Sequence, residues 1–389
     1  MKLSVAKPDL EAALSVAAIA VGSGSDISSH YLFRLVGGKV SVLTYDMRLF
    51  SSSPMVATAD GKEGEAFTVE AWRLNQWVAG IPDGVVNFTA DGGGDVHVSS
   101  GRSKVRFRSL DPAKFPYWDG LIQAAKEVGV ANPESLSRAL SLARWFVSAD
   151  DTSKPEICQI EAKNGVLWST DRRALSAVEL PTLPGLNIRI PGKDVGSIVK
   201  FLSEKNTRED SVTIKEAERP LEAGGGACAL FERPDGSYVG VTKPTSSFPV
   251  LNADRNAESD CTMTLDRAEF SSAVDVLSAG APKNHGSVSF LCDNQTSTVT
   301  LSMPCEAGGS DEFPLLLAKV TGGDKFTAPL AFTVDFSFIQ GIGDTFGLDN
   351  LEFGVTKFGR GGFISFRYTD PSEKADTGNR YFSVIVWRT

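Results

Sequence analysis

The chain is poor in the residues that would signal redox, metal or secreted-scaffold chemistry. Its 389 residues hold five cysteines, Cys158, Cys228, Cys261, Cys292 and Cys305, with no close pair and no C-x-x-C spacing. An odd set of scattered thiols does not make a disulfide framework and reads as buried or free thiols in a reducing compartment. The three histidines, His30, His97 and His285, lack the spacing of a zinc site. Positive charge is also in deficit. A net charge of −9 argues against a protein that coats nucleic acid by bulk attraction, though it leaves room for a local basic face. No segment approaches the roughly 20 apolar residues of a membrane span. Ala12 to Val21 has the apolar character of a signal-peptide core. Asp9 and Glu11 precede it, however, and Pro8-Asp9 makes a helix start, so a packed helix and a cytoplasmic protein are expected.

Catalytic groupings are equally scarce. Asp150-Asp151 reads as a solvated loop pair rather than a metal site. Gly92-Gly93-Gly94 and Gly224-Gly225-Gly226 lack the strand-to-helix setting of a phosphate loop. Serine, cysteine and histidine form no recognisable nucleophile arrangement. The chain is expected to be non-enzymatic, with no metal and no cofactor.

What the chain has instead is a module written three times. Each copy opens with a short strand and an amphipathic helix and runs on into alternating strands. The helix openings are Pro8-Asp9-Leu10-Glu11, Pro133-Glu134-Ser135-Leu136 and Asp266-Arg267-Ala268-Glu269, each followed by an Ala/Ser/Leu-rich stretch. A period of about 130 residues is too long for a solenoid unit, so each copy is expected to be a domain. The boundaries fall at 1–122, 123–256 and 257–389, with linkers at about Tyr117 to Asn132 and Asn252 to Asp260. In the first module Gly37-Gly38 signals a hairpin between Tyr31–Val36 and Lys39–Tyr45. A second helix over Glu70–Gly80 is followed by strands at Val85–Ala90, Asp95–Ser99 and Lys104–Leu110. Phe115-Pro116 and Phe248-Pro249 recur at matching places, each expected to end a strand and seat an aromatic in the core.

These motifs resemble the bacterial β sliding clamp, the processivity factor of replicative DNA polymerase. The matching set is Gly80-Ile81-Pro82-Asp83-Gly84, Ser99-Ser100-Gly101-Arg102-Ser103-Lys104 and Phe115-Pro116 in the first module. In the second it is Ser169-Thr170-Asp171 with Leu175, Ile190-Pro191-Gly192-Lys193-Asp194-Val195, and Phe248-Pro249. The chain ends on Trp387-Arg388-Thr389, where the family has a hydrophobic-Arg-aliphatic tripeptide. The resemblance covers essentially the whole chain. It implies an α+β fold of three similar DNA-clamp domains, each with two helices packed on antiparallel sheets, and a head-to-tail homodimeric ring lined by helices. It also implies double-stranded DNA held topologically, without sequence readout, and short linear peptides of DNA polymerase and clamp loader as partners.

Residue roles follow from the same resemblance. The DNA-facing set is Arg73, Arg138, Arg144, Lys193, Lys200 and Lys205 on helices, with Lys154 and Lys283 on loops. The partner-peptide pocket is Thr170, Arg172, Leu175, Pro249, Ile385, Val386, Trp387 and Arg388. The dimer interface is Val105 and Phe107 with Val276 and Leu277. Ordinary solvated helix faces and buried core are the competing readings of these sets. Arg172 stands where the family has glycine, and Trp387 where it has a flexible residue. These departures imply a narrower, more basic groove with an altered peptide preference for a dedicated polymerase, and lean toward a phage-encoded version of the clamp. The thin basic lining of modules one and three motivates a rival reading, a clamp-like peptide-binding hub with weak DNA retention. A hydrolase on a β-rich scaffold is the more distant alternative.

Overall fold

A computed structural model describes all residues except 25, 92–93, 150–151, 173, 181–182, 205–210, 219–226, 250–258, 281–285, 294–295, 305–308, 322–329, 340–349, 359–360, 370–379 and 389. The fold is α+β, with antiparallel sheets and short helices. It forms two compact units, residues 1–138 with 185–245, and residues 139–184 with 246–389.

In the first unit, strand Lys2–Ala6 leads directly into helix Lys7–Ala17. That helix buries Leu10, Ala13, Leu14 and Ala17, so the apolar N-terminal stretch is a packed helix. Gly37 and Gly38, at φ 59° and 73°, turn the chain between His30–Val36 and Lys39–Tyr45. Two successive positive φ values define a hairpin turn that only glycine adopts without cost. Helix Ala71–Gly80 buries Leu74 and Val78. Between helices and sheets Phe33 stacks on Phe67 at 5.0 Å and meets Phe88 at 5.1 Å. Strand Val85–Ala90 shows why the pattern was legible: Val86 and Phe88 are buried, while Val85, Asn87 and Thr89 are exposed.

Two sheets organise this unit. One has five strands, in the order Ala57–Asp60, Lys2–Ala6, Val85–Ala90, Asp95–Ser100 and Ser103–Arg108. The other has eight, running Lys126–Ala131, Val212–Glu218, Ala227–Glu232, Tyr238–Thr242, Leu49–Met55, Lys39–Tyr45, His30–Val36 and Ala66–Glu70. The expected linker at Tyr117 to Asn132 is therefore structured. It contains helix Asp119–Ala124 and strand Lys126–Ala131, which pairs with Val212–Glu218 across a bulge near Gly129. Trp118, at its start, stacks on Phe50 with centroids 4.3 Å apart. The second expected linker lies almost wholly outside the described residues. Phe115 is buried as expected, against Leu32, Leu43 and Tyr45, but it follows a 3-10 turn at Pro112–Lys114 rather than ending a strand. Phe248 is also buried.

In the second unit the strands run Gln159–Lys163, Val166–Thr170, Ala174–Glu179, Arg380–Arg388, Leu330–Asp335, Ser287–Asp293, Thr298–Pro304, Ser310–Thr321, Cys261–Asp266, Asn350–Phe358 and Gly361–Thr369. The last of these pairs back onto Arg380–Arg388. Cys261–Asp266 lies between Ser310–Thr321 and Asn350–Phe358, just as Lys2–Ala6 lies between Ala57–Asp60 and Val85–Ala90. The first and last thirds of the chain thus share a connectivity. Helix Arg267–Gly280 buries Phe270, Ala273, Val274 and Leu277. A further helix is described at Phe336–Ile339.

Candidate functional site

A recurring seam between strands organises the candidate interfaces. In the first unit, Tyr238–Thr242 pairs antiparallel with Leu49–Met55, placing Gly240 opposite Phe50. In the second unit, Arg380–Arg388 pairs antiparallel with Ala174–Glu179, placing Ile385 opposite Ala174 and Val384 opposite Leu175. Each seam joins the strand that closes one module to an early strand of the module before it. The equivalent closing strand of the first module, Ser103–Arg108, is the edge of its sheet among the described residues. It carries exposed Arg102, Lys104, Arg106 and Arg108 on or beside it. The equivalent early strand of the last module is the first part of Ser310–Thr321. Residues 310–316 pair with Thr298–Pro304 on one side, and among the described residues the pairing on the other side begins only at Leu317. That open stretch carries Asp311 and Glu312, and Leu316 is 68% exposed.

Of the expected dimer residues, Val105 is half-buried and Val276 is exposed, while Phe107 and Leu277 are buried within their own units. Arg73 covers Phe107, its guanidinium 4.9 Å from the ring centroid. Such a cation over an aromatic face holds the helix against the edge strand.

The expected peptide pocket gathers in the second unit. Thr170 and Leu175 are buried on either side of a tight turn. The Thr170 hydroxyl donates to the Ala174 carbonyl at 2.6 Å and accepts from the Arg172 amide at 3.0 Å. The Ala174 amide donates to Asp171 Oδ1 at 2.7 Å. These bonds hold Arg172 at φ 75°, in the left-handed region where glycine is at ease and other residues are strained. The exposed Arg172 guanidinium reaches Glu156. Pro249 is half-buried. Backbone pairing brings Ile385 alongside this turn, while Val386 and Trp387 pair with Phe363 and Gly362, and Arg388 with Gly361 and Thr333. The side chains of these last four pocket residues lie outside the described set. Sequence reasoning missed Glu156, because nothing in its spacing ties it to Arg172.

The expected DNA-facing bases are exposed where described: Arg73, Arg138, Arg144, Lys154, Lys193 and Lys200. Lys205 and Lys283 lie outside the described residues. Arg138 sits on helix Pro133–Ala143, 4.0 Å from Glu134, and Arg144 begins the 3-10 turn that extends it. Lys193 precedes helix Val195–Leu202 and Lys200 lies in its last turn. The two helices touch through Ser137 and Ser203, whose hydroxyls are 3.0 Å apart. Buried Asp194, at the head of the second helix, accepts from Arg48 Nε at 3.2 and 3.3 Å. Burial pushes the Asp194 carboxyl above its usual value, and the Arg48 charge pulls it back. This contact positions the Lys193 turn, and no local pattern signals it, since Arg48 and Asp194 lie far apart in the chain.

No group of three or more His, Cys, Asp or Glu residues gathers to hold a metal ion among the described residues. No helix there is long and apolar enough to cross a membrane.

No protein-family model matches the chain. It is 21% identical over 368 residues to the beta sliding clamp of Synechocystis sp., covering 86% of this chain and 89% of that one. Among solved structures it resembles the DNA polymerase sliding clamp of Bacillus subtilis, with a TM-score of 0.81, 14% identity, and coverage of 100% of this chain and 99% of that one. The clamp of Caulobacter crescentus matches with a TM-score of 0.79 and 18% identity over 100% of both chains. The DNA polymerase III beta subunit of Thermotoga maritima matches with a TM-score of 0.78 and 16% identity, over 100% of this chain and 99% of that one. The expected resemblance holds over the whole length: the chain has the fold of bacterial DNA polymerase sliding clamps.

Proposed function

We propose that this chain is a DNA sliding clamp: two copies close head to tail around duplex DNA and tether the replicative polymerase, without catalysing a reaction. The carrying observation is the twice-repeated seam, which leaves one closing strand and one receiving strand unused. A second copy of the chain can satisfy both. Pairing Ser103–Arg108 of one copy with the start of Ser310–Thr321 of the other repeats the internal seam. A C2 arrangement satisfies both open edges and removes the aggregation liability of an exposed strand. The charges are complementary: one strand carries Lys104 and Arg108, with Arg106 paired to Asp95 in its own sheet, and the other carries Asp311 and Glu312. Val105 and Val276 supply apolar surface, with Phe107 and Leu277 supporting from beneath.

Three modules per chain, 1–122, 123–256 and 257–389, then give six around the ring. A closed ring needs little equilibrium affinity for DNA, which reconciles the net charge of −9 with a DNA-bound role. The exposed bases of the second-module helices contact phosphates without reading sequence. Polymerase and loader peptides enter the groove between the Thr170–Leu175 turn and the C-terminal strand, with Arg172 as a polar anchor. Tethering raises the polymerase's effective concentration at the primer end. The protein works in the cytoplasm.

The test is topological. The protein is assembled on nicked circular DNA, and the circle is then linearised. A clamp stays on the circle and slides off the cut ends. Retention that ignores linearisation supports the rival hub reading and rejects the ring.

A further inference from the structure

The helices expected to line the hole do not share one charge. On Lys7–Ala17 the exposed charged side chains are Asp9 and Glu11, while Lys7 is buried with its ammonium donating to the Ile81 carbonyl at 2.8 Å. On Arg267–Gly280 they are Glu269 and Asp275, with Arg267 half-buried. Helix Ala71–Gly80 has Arg73, whose guanidinium is engaged over Phe107. The second-module pair differs. Arg138 and Arg144 lie on one helix and its extension, and Lys193 and Lys200 on or beside the other, against the single exposed acid Glu134. The Ser137–Ser203 contact holds that pair together. Four cations thus gather on one helix pair, and exposed acids mark the opening helices of the other two modules.

Resting on the clamp reading, we propose that the duplex is gripped only at the second-module sectors, one in each copy: its phosphates bind the second-module helix pair of one copy at a time, and the acidic helices of modules one and three repel it. The duplex therefore rides off-centre against Arg138, Arg144, Lys193 and Lys200 of one copy or the other. Arg73 and Lys154 add little. Phosphate attraction grows with each cation neutralising a phosphate, so four contacts at a slope of about 0.9 each predict a logarithmic salt slope near 3.6. That corresponds to roughly a 150-fold loss of affinity between about 50 and 200 mM salt.

The probe is a short linear duplex, which has no topological retention and reports phosphate contact alone. Three variants separate the sectors. R138Q/R144Q/K193Q/K200Q should bind at least about tenfold more weakly at low salt and lose most of the salt slope. D9N/E11Q/E269Q/D275N should bind several-fold more tightly. R73Q/K154Q should stay within about twofold. Equal losses in the first and third variants, or no gain in the second, overturn the proposal. Retention of the unmodified protein on nicked circles is measured in parallel. If that retention is present while the variants fail to separate, the sector idea is wrong and the clamp reading stands. If it is absent, the clamp reading falls and takes this inference with it.

Discussion

Gly240 to alanine tests the strand seam on which the assembly argument depends. Gly240 pairs with Phe50 where Tyr238–Thr242 meets Leu49–Met55. A β-carbon at Gly240 would lie 2.1 Å from Phe50 Cζ and 2.4 and 2.6 Å from its ring neighbours. Carbon atoms rest at about 3.5–4.0 Å, so the ring would have to retreat by more than about an ångström. It has little room to do so. Phe50 is 1% exposed and stacked on Trp118 at 4.3 Å. Overpacking of this kind costs about 1–3 kcal/mol, approaching the ~3–5 kcal/mol of a lost buried phenylalanine if the ring is expelled. For a unit of about 200 residues, a cost near 2 kcal/mol lowers Tm by roughly 4–8 °C. The assay is denaturant or thermal unfolding of G240A beside G240A/F50L, in which the smaller side chain frees space. The double variant should recover stability relative to the two single changes taken additively. A G240A protein within about 0.5 kcal/mol of the parent, or a pair of strictly additive effects, would refute the close approach.

Reversing the seam charges with K104E/R108E should weaken self-association about 10- to 100-fold, and adding D311K/E312K should restore it, as read by sedimentation velocity over a dilution series. Replacing Arg172 with glycine should raise stability by about 1 kcal/mol, because relief of left-handed strain exceeds the exposed Glu156 ion pair and the added backbone freedom. Chemical denaturation reads that change, and a loss of stability would contradict it. Burial holds the His30 imidazole below its ordinary pKa, with the Asp26 carbonyl hydrogen bond opposing the shift. Its neutral form is therefore favoured in the fold. The His30 contribution is complete above the unfolded value of about 6.5 and is lost as pH falls through the lower folded value. Stability should drop as pH falls below about 6.5, and H30N should flatten that drop.

Regular alternation and glycine turns made much of the fold legible. Lys39–Tyr45 and Val85–Ala90 have the boundaries expected from sequence. Lys126–Ala131 escaped because its opening charges and Gly129 blur the alternation, and its pairing includes a bulge. Ser310–Thr321 escaped because Asp311, Glu312 and Pro314 break the apolar pattern, although partners on each side extend it to twelve residues. Sites were harder to read than elements. The neighbouring positions of Thr170, Leu175 and Ile385 depend on strand pairing between distant parts of the chain, which local periodicity does not encode. The Arg172–Glu156 and Arg48–Asp194 contacts have the same origin. Arg172 is a sharper case, since its left-handed backbone is set by side-chain bonds from Thr170 and Asp171 rather than by its own preference.

Closure of two copies into an annulus is most directly tested by electron microscopy of the purified protein, with and without duplex. The account requires a two-copy closed particle whose central opening admits B-form DNA, with density for the duplex inside that opening when DNA is added. A monomer, an open chain of copies, or a ring too narrow to thread duplex would contradict it.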